Sequence, residues 1–91
     1  MKNTDLLKEL QIIMHQTKTI ANINPGSIEE TIYKKCYNAY RIIDDGGSIE
    51  KIDVMGLGRP YADKYGYDAS LLEHIDKMEK LIKIEREKNE Y

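Results

Sequence analysis

The chain carries one thiol, Cys36, and two imidazoles, His15 and His74. A thiol nucleophile needs a histidine to take its proton, and a zinc site needs several thiolate, imidazole or carboxylate ligands, usually with some of them closely spaced. The ligand spacing of a zinc site does not occur here, and a Cys-His pair would have to come from tertiary packing. Cys36 falls on the inward phase of a helical pattern, where a thiol is inert packing. His15 projects from a polar helix face, and His74 borders an apolar stripe beside Met78. The sixteen carboxylates single out no acid and base pair. Catalysis is therefore not expected, and neither a metal nor another cofactor is expected.

A second group of residues invites recognition rather than reaction. The stretch MGLGRPYADKYGYD, Met55 to Asp68, combines glycines, a proline, three tyrosines and an arginine. Gly56-Leu57-Gly58-Arg59 could present backbone N–H groups beside a cation, the physical basis of an anion nest. It lacks the glycine spacing and the following Lys and Ser or Thr of a phosphate loop. The expected first role of the stretch is to connect and pack, with Leu57, Tyr61 and Tyr65 covering the open end of the long helices. Its second is binding, because Arg59, Tyr61, Tyr65 and Tyr67 have the composition of an interface hot spot. A further tyrosine stripe, Tyr33, Tyr37 and Tyr40, recurs at helical spacing. Its rings either widen the edge of the core or form a partner-binding face. A base-stacking platform would need a cationic groove, and none is evident.

Helices must position these residues. Leu6, Leu10, Ile13, Met14, Thr17, Ile20 and Ala21 share one side of a 3.6-residue repeat from Asp5 to Asn22, with Asn3 or Thr4 as the cap. Asn24-Pro25-Gly26 interrupts it. Ser27 and Glu30 form a capping-box pattern that opens a second helix, with Ile28, Ile32, Cys36, Ala39 and Ile43 inward, and Gly46-Gly47 closes it. A last helix runs from about Ala69 to Lys88, with a narrow seam of Leu71, Ile75, Met78 and Ile82. Leu72, Leu81 and Ile84 fall outside that seam. Between these segments, Ser48 to Asp53 suggests a short helix, and Pro60 to Tyr65 another, stopped by Gly66.

The expected fold is all-α: a small bundle of three principal helices plus a short helix in the connection before the last. Residues 1–91 make one domain, with a polar tail that frays from about 86–91. At this length the core is thin, and oligomerisation is one way to gain burial. The tyrosine edge of the second helix and the flanks of the last offer apolar area for a homodimer, with Tyr37, Leu72 and Leu81 at the contact.

Fourteen basic residues are interleaved with the acidic ones, so no basic face for nonspecific nucleic-acid binding is evident. The opening residues lack the apolar core of a secretion signal, and no apolar run approaches the roughly 18 residues of a membrane span. With a lone cysteine, this points to the cytoplasm. The expected function is that of a non-catalytic protein-binding module, a small regulator or adaptor acting through a Tyr/Leu helical surface. The alternative is a dimeric nucleic-acid-binding regulator. Its helix-turn-helix would follow Gly46-Gly47, where the chain supplies Ile49, Ile52, Val54 and Met55 instead of polar and basic residues.

Overall fold

The computed structural model describes residues 4–89. The proposed cap at Asn3 and the last two residues of the tail lie outside the described residues. The chain forms α1 (Thr4–Ile23), α2 (Ile28–Asp44), a single 3-10 turn (Ile49–Lys51), α3 (Gly58–Tyr65) and α4 (Leu71–Asn89), with no strand among the described residues. It is an all-α fold with three long helices and one short one, as the periodicity requires.

The helix ends follow local chemistry. Ser27 Oγ accepts the N–H of Glu30 at 3.2 Å, and Glu30 reaches back to the N–H of Gly26 at 2.9 Å. The return bond lands one residue earlier than in the usual capping box, because the N–H of Ser27 is already donated to the carbonyl of Asn24. At the other end of α2, Gly46 takes φ +82° and donates to Ile43, while Gly47 donates to Ile42 at 2.7 Å. This paired closure satisfies carbonyls the helix would otherwise leave open, and its left-handed residue suits glycine. Helix α3 contains Pro60 in its first turn, where the missing N–H costs nothing, and Gly66 ends it at φ +95°.

The core has four walls. Helix α1 packs against both α2 and α4, but no Cα of α2 comes within 8 Å of one of α4. The connection between them closes that gap. Ile49, Ile52, Val54 and Leu57 are buried there against Ile32, Cys36 and Ile43 of α2 and Ile75, Met78 and Ile82 of α4. Met55 is half-buried. The segment after Gly46-Gly47 therefore turns its apolar residues into the core as one 3-10 turn and extended chain, and it forms no recognition helix.

Polar contacts pin this fourth wall on both sides. Lys35 pairs with Asp53 at 3.1 Å on the α2 side. On the α4 side, Arg86 donates to the carbonyl of Ile52 at 2.8 Å, and Glu79 accepts the N–H of Gly56 at 3.0 Å. Arg86 thus gives the last turn of α4 a tertiary contact, and the helix continues through the start of the expected tail to Asn89. Between α1 and α4, His74 Nδ1 lies 2.7 Å from Glu9 Oε1.

Candidate functional site

Helix α3 and its entry loop lie along one edge of α4. Gly58 sits over that helix so closely that a Cβ there would meet Leu72 and Ile75 at 3.5 Å, and Glu79 ties down Gly56 at the far end of the contact. Between the two helices runs an open groove of about 420 Å3, lined by Gly56, Gly58, Arg59, Ala62 and Tyr67 on one side and Leu72, Asp76 and Glu79 on the other. Leu72, Asp76 and Glu79 are spaced four and three residues apart, so they share one face of α4. Three residues selected from the sequence meet here: Arg59, Tyr67 and the half-buried Leu72. Tyr67 is 75% exposed. In the sequence Asp76 and Glu79 stand four residues before Lys80 and Lys83, the spacing of exposed ion pairs on a solvated face. Among the described residues neither pair forms, and both carboxylates line the groove instead.

Tyr61 and Tyr65 join a different cluster. Their rings lie 4.7 Å apart, tilted by 39°, and the Tyr65 hydroxyl donates to Glu29 in the first turn of α2. Glu29 is buried at 2% exposure. The Lys64 ammonium lies 3.6 Å from the other carboxylate oxygen and 5.2 Å from the centre of the Tyr65 ring. Burial pushes the Glu29 carboxyl up, but the bond from Tyr65, its own backbone N–H and the Lys64 charge together outweigh it and hold the group below its ordinary value. The reciprocal hydrogen bond to Glu29 raises the Tyr65 phenol, and burial followed by the Glu29 charge raises that of Tyr61. Of the trio assigned to cover the end of the helices, Leu57 is buried, Tyr61 is half-buried, and Tyr65 is exposed but held by its hydroxyl. Glu29 was missed by the sequence reading. Its signal was there, since it precedes Ile32 by three residues and Cys36 by seven and so takes an inward phase.

The α2 tyrosines occupy a third region. Tyr33 and Tyr37 form an edge-to-face pair with ring centres 6.1 Å apart, and Tyr37 is 44% exposed. Tyr40 is half-buried and accepts a hydrogen bond from Gln11 at 3.0 Å, which ties it to α1. Leu81 is half-buried against the core. Tyr37 and Leu81 therefore stand on helices whose backbones do not meet.

Cys36 is fully buried, and burial pushes its thiol up to about 12. A thiol so raised is protonated at neutral pH, as for a buried packing cysteine. Among the described residues no group of three His, Cys, Asp or Glu side chains is arranged to hold a metal ion, and no helix is long and apolar enough to cross a membrane. No protein-family model, curated protein or solved structure matches the chain.

Proposed function

We propose that this chain is a non-catalytic protein-binding module of the cytoplasm, a small regulator or adaptor whose contact surface is the groove between α3 and α4. The observation that carries the reading is the convergence of Arg59, Tyr67 and Leu72 on that groove. An arginine and an exposed tyrosine beside an apolar floor are the residue types that supply most of the energy in protein interfaces. The connection leading into α3 is held to α4 by Glu79 and Arg86, so little conformational freedom is left to lose on binding.

The test compares affinity capture by the wild-type chain with capture by Tyr67→Ala and Arg59→Glu variants. Discrete proteins held by the wild type and lost from both variants, but kept by a variant at exposed His15, are the expected result. Proteins captured equally by all four chains, or specific recovery of nucleic acid, would overturn it.

Self-association has a separate basis. Tyr37, stacked edge-to-face with Tyr33, leaves aromatic surface exposed on α2, and a twofold dimer would cover it on both subunits.

A further inference from the structure

The shape and charge of the α3–α4 groove specify what it takes. We propose that it receives an extended stretch of a protein partner in which an apolar residue and a lysine or arginine stand two positions apart. The inference rests on the groove's being the contact surface, and goes beyond it by naming the occupant.

Size limits the choice first. A volume of about 420 Å3 lies at the small end of the range of about 300–1,000 Å3 typical of enclosed ligand sites. That is room for one or two side chains and the backbone joining them. Spacing sets the pattern. From Leu72 to Asp76 the rise along α4 is about 6 Å, four residues at about 1.5 Å each. Side chains two apart on an extended chain leave the same face about 6.6 Å from each other. An apolar side chain on Leu72 and Ala62 therefore puts its second neighbour beside Asp76.

Charge sets the sign of that neighbour. The groove carries two carboxylates, Asp76 and Glu79, against one guanidinium, Arg59. Among the described residues, no cationic side chain lies within 4 Å of either carboxylate. Glu79 spends one oxygen on the N–H of Gly56, which fixes the carboxylate in place without neutralising it. The exposed ring of Tyr67 adds an aromatic face, which attracts a cation and repels an anion. Arg59 has N–H donors and no acceptor, and the carbonyls of an extended chain are partners for it. A lysine or arginine satisfies these groups together, its methylene stem lying on apolar surface and its head meeting the acids.

Selection of a phage-displayed random peptide library on the immobilised full chain tests this, followed by fluorescence anisotropy of the selected peptides. The expected sequences share an apolar residue and a lysine or arginine separated by one residue of any type, all in one order. Changing that cation to glutamate should weaken binding by about tenfold or more, as should Asp76→Lys in the protein, and the two changes together should restore part of the loss. Asp76 is exposed, so the variant should keep its helical circular dichroism; the peptide change probes the same contact on the unaltered chain. Peptides that need Tyr67 and Leu72 but carry no cation would overturn the inference and leave the groove as the contact surface. Peptides indifferent to Tyr67→Ala and Leu72→Ala, or no selected peptide at all, would overturn both.

Discussion

The hydroxyl of Tyr65 donates to the buried carboxylate of Glu29, and this bond joins the end of α3 to the first turn of α2. It ties the short helix that follows the fourth wall back to α2, and the carboxylate it engages stands at a helix N-terminus, where the peptide dipoles favour negative charge. Tyr65→Phe removes the donor and leaves the carboxylate with Lys64 as its partner. The urea midpoint of unfolding should fall, and Glu29→Gln should cost less in the Tyr65→Phe background than in the wild type. Additive effects would show that the two residues act independently.

Acid should weaken this contact. The folded carboxyl of Glu29 sits below its ordinary value of 4.5, so the unfolded chain binds the proton more readily. Its stabilisation is complete above the unfolded value and is lost as pH falls from there through the folded one. Urea midpoints of the wild type and Glu29→Gln should therefore differ by a constant amount from pH 6 to 7. The gap should narrow below the ordinary carboxylate value. A gap that stays constant into strong acid would refute the linkage.

Because the connection is core, truncating it should cost as much as truncating a long helix. Ile52→Ala and Ile75→Ala should each lower stability by about 2–5 kcal/mol, measured by urea unfolding. An effect at Ile52 near that of a surface substitution would mean that the fourth wall contributes little.

Cys36 reports on opening of the same core. A disulfide reagent at mildly alkaline pH should label it slowly in buffer and rapidly in urea, because the folded thiol is both buried and pushed up to about 12. Equal rates in the two conditions would place the thiol at the surface.

Sedimentation equilibrium tests the tyrosine pair on α2. The average mass should rise with concentration towards that of a dimer, and Tyr37→Glu should return it to that of the monomer. A monomeric mass throughout would leave Tyr37 for another partner.

Much of this protein was legible in the sequence because it depends on neighbours along the chain. The stripes of α1, α2 and α4 follow from a repeat of 3.6 residues, and Leu10, Ile32, Ile75 and Met78 are buried where that repeat puts them. Ser27, Gly46 and Gly66 mark helix ends because capping and left-handed backbone are local matters. Tertiary packing decided the rest. Ile49, Ile52, Val54 and Leu57 have no helical period to declare an inward face, and they are buried because α2 and α4 stand too far apart to close the core themselves. Glu29 had an inward phase, but a phase cannot reveal that Tyr65 and Lys64, some 36 residues on, would make its burial tolerable. Nor does any local signal separate Tyr61 and Tyr65 from Arg59 and Tyr67. Only the path of α3 across α4 sends the first pair to Glu29 and the second into a groove with Leu72, Asp76 and Glu79.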